Sequence, residues 1–335
     1  MQKNRKCDKI FPEVIYIMDF LYIILIVIAV LALLTLITAY VCFHITFAAR
    51  KTDREEYKNT EFPIPHGHIY EVHRDKMVAW MKKLVSTPHE DLEITSFDGL
   101  RLRAKFYEYA PGAPIEVLLH GYRGNAKRDL NGGLARCFSL GRSALLVDHR
   151  ASGDSEGNVI TFGALESRDA LDWIKYISER YGKERKIIVT GVSMGAATAM
   201  IVAGSDELPE NVVGALADCG YTSAEAIIKK VMREDMHLPP APLFPFVRLG
   251  ARIFAHFDIK DASPIEAMKK AKVPVFFIHG DDDKFVPFSL SEENSAACTA
   301  RKMLVATPGA GHGLCYVTDS EGYENALREF FAEVK

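Results

Sequence analysis

The sequence predicts an α/β protein with a mainly parallel central sheet, helices on both faces, a small helical cap and one apolar transmembrane helix at the N-terminus. Three observations predict it. From about residue 90 onward, short apolar strands alternate with helical stretches, the pattern of a parallel sheet covered on both sides. The run Lys186-Ile187-Ile188-Val189-Thr190 passes directly into Gly191-Val192-Ser193-Met194-Gly195 and then into helix-prone Ala196-Ala197-Thr198-Ala199-Met200. That order spells strand, tight turn, helix. Finally, Phe20 to Ala49 holds no Asp, Glu, Lys or Arg.

Taken in chain order, residues 1–19 read as an N-terminal tail and 20–49 as a transmembrane anchor. At about 1.5 Å per residue the apolar stretch exceeds the ~30 Å hydrocarbon layer, and it is too long for the apolar core of a cleaved signal peptide. Lys3, Arg5, Lys6 and Lys9 precede it, while Arg50, Lys51, Arg54 and Lys58 follow it. Charge therefore leaves the membrane side open, and a short tail inside with the domain outside is preferred. Residues 50–89 form a linker, broken by prolines, and a leading helix over His66–Thr87. Residues 90–335 form the α/β domain. Its first two strands, Leu92–Phe97 and Leu102–Tyr109, join at Asp98-Gly99 as a hairpin. Later strands are expected at Ile115–His120, Ala144–Val147, Ile187–Thr190, Val212–Ala217, Val275–His279 and Met303–Ala306. The helices between and after them are Leu130–Leu140, Phe162–Tyr181, the one after Ser193, and Tyr323–Val334. An insertion over about 220–262 interrupts the alternation. Phe246, Leu249, Gly250, Ile253, Phe254 and Phe257 recur in it at helical spacing, the pattern of a cap above the strand ends.

The formal charge of −3 gives no reason to expect nucleic acid as a partner. Cys7, Cys42, Cys137, Cys219, Cys298 and Cys315 show no C-x-x-C spacing, so no metal knuckle or redox pair is indicated. His66, His68 and His73 lack the paired cysteines or acidic cluster that would complete a metal site. The sequence leaves the oligomeric state open.

A serine projected from such a turn is a nucleophile if it has a base, a carboxylate to orient the base, and donors for the oxyanion. His312, in Gly309-Ala310-Gly311-His312-Gly313 after the last strand, is the expected base. The acid should follow the preceding strand, where Asp281, Asp282 and Asp283 stand side by side; chemistry alone leaves the choice among them open. The oxyanion donors should be the amides of Met194 and of Tyr122, the latter in His120-Gly121-Tyr122-Arg123-Gly124. Asp218, after another strand, is an alternative acid. Cys315 reads as packing.

These segments resemble the α/β-hydrolases, in the serine-aminopeptidase-like and esterase/lipase branch, from about Glu90 to Lys335. The resemblance is carried by His120-Gly121-x-x-Gly124, Gly191-x-Ser193-Met194-Gly195, His279-Gly280-x-x-Asp283-x-x-Val286-Pro287 and Gly309-x-Gly311-His312. Asp148-His149-Arg150-Ala151-Ser152-Gly153-Asp154-Ser155 adds to it, with Ala151 where the family prefers glycine. The resemblance implies that Asp283 is the acid and that Asp148 and Arg150 are structural.

The expected activity is hydrolysis of a small ester or short peptide by a Ser193–His312–Asp283 triad. No cofactor or metal is required, and the bilayer is the partner of the N-terminal helix. An aminopeptidase-like or acylaminoacyl peptidase is the first alternative; for cleavage of N-terminal residues, Glu234, Asp235 or Asp258 is available to hold a substrate ammonium. Acylglycerol lipase, thioesterase and a non-catalytic binding protein on the same fold are the others.

Overall fold

The computed structural model describes residues 7–50, 55 and 59–333, with side chains from residue 15 onward. Lys3, Arg5, Lys6, Lys51, Arg54, Lys58 and Val334, on which parts of the tail, linker and closing-helix expectations fall, lie outside the described residues, as does the Lys9 side chain.

Eight strands form one sheet: β1 (Glu90–Thr95), β2 (Arg101–Tyr107), β3 (Ile115–Leu119), β4 (Ser143–Val147), β5 (Ile187–Val192), β6 (Val212–Asp218), β7 (Val275–Gly280) and β8 (Lys302–Thr307). Their spatial order is β1-β2-β4-β3-β5-β6-β7-β8. β1 and β2 pair antiparallel, β2 runs antiparallel to β4, and every later pairing is parallel. Because both faces are covered, the central strands are buried at every position instead of alternating: β3, β4 and β7 have no exposed residue.

Among the described residues, the α-helices of seven or more residues are α1 (Cys7–Thr46), α2 (Arg74–Ser86), α3 (Asn131–Ser139), α4 (Ala164–Tyr181), α5 (Met194–Ala203), α6 (Ala224–Lys230), α7 (Pro240–Phe254), α8 (Ser289–Ala297) and α9 (Ser320–Phe330). Trp173, Ile174 and Ile177 of α4 close one face over Val117, Leu145 and Val189. Leu134 and Cys137 of α3 close the other over Leu118 and Leu146. Glu116, the second residue of β3, is a fully buried carboxylate in this largely apolar sheet. Burial alone would raise its carboxyl, but Arg136 and Arg142 hold it below the usual range, and the Thr190 hydroxyl donates to it.

Three details differ from the sequence expectation. The leading helix over 66–87 is two pieces, His68–Glu71 and α2, separated at Val72-His73. α1 is one continuous helix of 40 residues, of which Ile15–Thr46 is long and apolar enough to cross a membrane; residues 47–49 lie beyond its end. The cap stripe is rotated: Phe244, Val247, Gly250, Ala251 and Phe257 are buried, whereas Ile253 is exposed. The apolar end of α1 is the cause. Phe254 meets Tyr40 at 5.2 Å and Phe43 at 5.6 Å, and Phe257 meets Phe47 at 5.3 Å. Ala39, Phe43 and Phe47 are buried there, and the cap aromatics are consumed in covering them.

Candidate active site

Ser193 sits between β5 and α5 with φ +57 and ψ −114, a backbone state that costs of order 1–3 kcal/mol for a residue with a Cβ. The flanking glycines make this turn possible. A Cβ at Gly191 would fall 2.0 Å from the Gly195 carbonyl, and one at Gly195 would fall 2.0 Å from the Leu119 carbonyl oxygen. Strand, turn and helix therefore pass in backbone contact, and the serine is thrust out at the carboxyl end of the sheet.

His312 Nε2 lies 3.0 Å from Ser193 Oγ, and His312 Nδ1 lies 2.7 Å from Asp283 Oδ2. A carboxylate only accepts, so Nδ1 carries the proton and Nε2 is left to receive the serine hydroxyl. The Tyr70 hydroxyl donates to the His312 carbonyl at 3.1 Å, fixing the loop that carries the imidazole. Asp283 is buried and fully satisfied. Its Oδ1 accepts the Phe285 and Val286 amides at 2.9 and 2.8 Å, and its Oδ2 also faces His279 Nε2 at 3.1 Å. Burial alone would raise this carboxyl, but the hydrogen bonds from His279, His312 and Val286 hold it well below the usual carboxylate range. The other two aspartates point elsewhere: Asp281 accepts the Gly309 amide at 2.7 Å, and Asp282 pairs with Lys284 at 2.6 Å.

The loop after β3 abuts the nucleophile, since a Cβ at Gly121 would lie 3.6 Å from Ser193 Cβ. His120 supports it from beneath: its Nδ1–H donates to the Gly121 carbonyl at 2.8 Å and its Nε2 accepts the His149 amide at 3.1 Å. Burial lowers both imidazoles, so they stay neutral. Gly121, the residue before Tyr122, thus adjoins Ser193, and Met194 follows Ser193 as the first residue of α5.

A cavity of about 450 Å³ opens onto Ser193 and His312. Its walls include Ile69, Tyr70, Met77, Trp80, Leu130 and Tyr316, and the cap contributes none of its lining. The segment read from sequence as a linker and leading helix therefore supplies part of this wall. A larger hollow of about 570 Å³, lined by Leu84, His89, Lys105 and Asp148 among others, contains neither Ser193 nor His312.

The remaining candidates have structural partners. Asp218 accepts the Tyr323 hydroxyl at 3.1 Å, lines the 450 Å³ cavity and makes no hydrogen bond to His312. Asp148 accepts the Ala126 and Asp154 amides at 2.9 and 3.1 Å, and Arg150 forks onto Asp169 at 2.6 and 2.7 Å. Ala151 stands at φ +65, which is the physical reason glycine suits that position. Asp258 is paired with Arg252, while Glu234 and Asp235 are 3.5 and 3.4 Å from Lys230. His68, His73 and Asp235 line a hollow beside Phe285 and His312, and Cys315 is buried. The sequence reading gave no role to His279, Tyr70 or Trp80. His279 alone carried a signal, as the first residue of its Gly- and Asp-bearing motif.

The model of the alpha/beta hydrolase family matches residues 117–326. The YqkD protein of Bacillus subtilis is 26% identical over 228 residues, 68% of this chain and 74% of that one. The lysophosphatidylserine lipase ABHD12 of Danio rerio is 30% identical over 204 residues, 57% of this chain and 49% of that one. Among solved structures, the Pyrococcus furiosus esterase Pf2001 superposes with a TM-score of 0.61 at 22% identity, covering 75% of this chain and 95% of that one. That last likeness is one of fold.

Proposed function

The chain belongs to the alpha/beta hydrolase family, and from that premise we propose that it is a membrane-anchored serine hydrolase that cleaves carboxylic esters through an acyl-enzyme. The observation that carries this reading is the hydrogen-bonded line Ser193 Oγ–His312–Asp283 at 3.0 and 2.7 Å. His312 takes the Ser193 proton as the oxygen attacks the ester carbonyl. Asp283 holds the imidazole in the required tautomer and stabilises its positive charge. The amides of Met194 and Tyr122 receive the oxyanion, a contribution worth ~3 kcal/mol for one such donor. His312 then protonates the leaving alcohol, and water repeats the cycle to release the acid.

Anchoring is supported by the length and apolarity of Ile15–Thr46 and by the burial of Phe43 and Phe47 in the domain, an arrangement that a cleaved leader would destroy. The mostly apolar cavity also favours a lipase variant of the same chemistry, acting on an acylglycerol or lysophospholipid, in line with the lipase relative. The test is Ser193→Ala in the full chain. It should abolish hydrolysis of p-nitrophenyl butyrate and labelling by a fluorophosphonate probe; labelling that survives would remove the reading. Competition of that labelling by monoacylglycerols, lysophospholipids and aminoacyl-arylamides separates esterase, lipase and peptidase.

A further inference from the structure

The end of the apolar N-terminal helix is built into the loop after β3. A helix leaves the carbonyls of its last turn without helical donors, and here the two residues that follow Gly121 supply donors. The Tyr122 hydroxyl donates to the Thr46 carbonyl at 2.8 Å, and the Arg123 guanidinium donates to the carbonyls of Ile45 at 2.9 Å and Ala48 at 3.2 Å. Arg123 holds φ +54, and its guanidinium lies 4.9 Å from the centre of the Tyr122 ring. That ring stacks on Phe162 at 4.9 Å, and Phe162 meets Phe47, which is fully buried, at 5.9 Å. The chain beyond the helix is pinned as well: the Phe47 carbonyl accepts the Ile160 amide at 2.8 Å, and the Ala49 amide donates to Asn158 at 2.9 Å. On its other side α1 is seated on α7 at Gly250, where a Cβ would come within 2.5 Å of the Ala39 carbonyl and 3.2 Å of Phe43 Cβ.

We propose that residues 39–49 are a positioning element of the active site. They hold the Tyr122 and Arg123 side chains and thereby set where the Tyr122 amide stands beside Ser193. The catalytic consequence rests on the hydrolase reading; the brace itself does not. A mere tether needs a flexible link, whereas this helix end buries Ala39, Phe43, Phe47 and Ala48, is hydrogen-bonded and is in backbone contact with the domain. Thr46, Phe47 and Gly250 act through the loop and touch no reacting atom.

The experiment uses the full chain in detergent micelles. Gly250→Val unseats α1 from the cap without altering the loop, and Arg123→Met removes the guanidinium bonds to the Ile45 and Ala48 carbonyls. In each variant, amide exchange over residues 121–125 should quicken by about tenfold while β3 and β5 stay protected. For p-nitrophenyl butyrate, kcat should fall by about 10- to 100-fold, less than the loss of a whole oxyanion donor, with KM nearly unchanged. Affinity for a trifluoromethyl ketone, which forms a tetrahedral adduct, should fall in parallel. The double variant should lose no more than the worse single one, and Arg123→Lys should recover part of the loss. Unchanged exchange over 121–125 in folded Gly250→Val overturns the proposal, as does a fall in KM-limited binding alone. Should Gly250→Val fail to fold, Arg123→Met and Tyr122→Phe carry the same test. If the unaltered chain shows no Ser193-dependent turnover, the hydrolase reading fails, and the exchange measurement still decides the brace.

Discussion

His279 Nε2 lies 3.1 Å from Asp283 Oδ2, the same oxygen that faces His312 Nδ1 at 2.7 Å. The imidazole of His279 is fully buried, also reaches the Val286 carbonyl at 2.9 Å, and meets the Ser291 hydroxyl at 2.7 Å through Nδ1. Two acceptors face Nε2, so that nitrogen carries the proton and Nδ1 receives the serine. His279 thus ties the strand end, the acid and α8 into one unit.

Replacing it with an apolar ring of similar size should expose that dependence. His279→Phe leaves three buried polar groups each short of a partner, and it should destabilise the fold by about 2–4 kcal/mol. It should also lower kcat with little change in KM, because the misplaced carboxylate orients His312 less well. Urea unfolding and steady-state esterase kinetics check the two parts, and a variant indistinguishable in both would show that Asp283 is held by its backbone donors alone.

Stability should depend on pH in two opposite ways. Asp283 is held below its unfolded value near 3.9, so its contribution is present above about pH 4 and is lost as the pH falls further. Asp148 behaves in reverse: burial pushes its carboxyl up to about 6, so the folded chain keeps a proton that the unfolded chain releases. Between about pH 4 and 6 the fold should therefore lose about 3 kcal/mol through this group. Urea titrations at pH 4.5 and 6.5 should show the slope in the unaltered chain and a flatter one in Asp148→Asn; equal slopes would refute the assignment.

The sheet was legible because β-branched runs in regular alternation with helical stretches admit few topologies. Ser193, His312 and the aspartate triplet stood out for a related reason: each sits where only a glycine-bearing backbone can turn at a strand end. Which aspartate faces the imidazole was not legible from chemistry, since Asp281, Asp282 and Asp283 differ only in where one turn points them. The cap stripe showed its period but not its partner, because periodicity on one helix carries no information about the surface that covers it. That partner, the end of α1, lies about two hundred residues earlier. The cavity wall escaped for the same reason. Ile69, Tyr70, Met77 and Trp80 precede the domain in sequence and come to share a cavity with Ser193 only after folding.

The contact between Gly195 and β3 gives a sharp stability test. A Cβ at Gly195 would press on the Leu119 carbonyl, which is backbone and cannot yield. Gly195→Ala should cost about 3 kcal/mol or more. Gly112→Ala, where φ is +79 and nothing lies within 4 Å, should cost only about 1–2 kcal/mol from the backbone conformation. Similar losses in the two variants would mean that conformation, not close approach, dictates the glycine beside the nucleophile.

Trp80 should set acyl length. Its ring stacks on Tyr316 at 5.2 Å, a Cβ at Gly132 would come within 3.0 Å of it, and all three residues line the cavity. Trp80→Ala removes the largest side chain of that wall and should raise the ratio of kcat/KM for p-nitrophenyl dodecanoate over butyrate by about tenfold, the equivalent of one or two methylenes of pocket contact. Gly132→Val narrows the same space and should move the ratio the other way. The acyl and alcohol portions of the ester are to be varied separately. A response confined to the alcohol series would place the leaving group in this cavity and the acyl chain elsewhere.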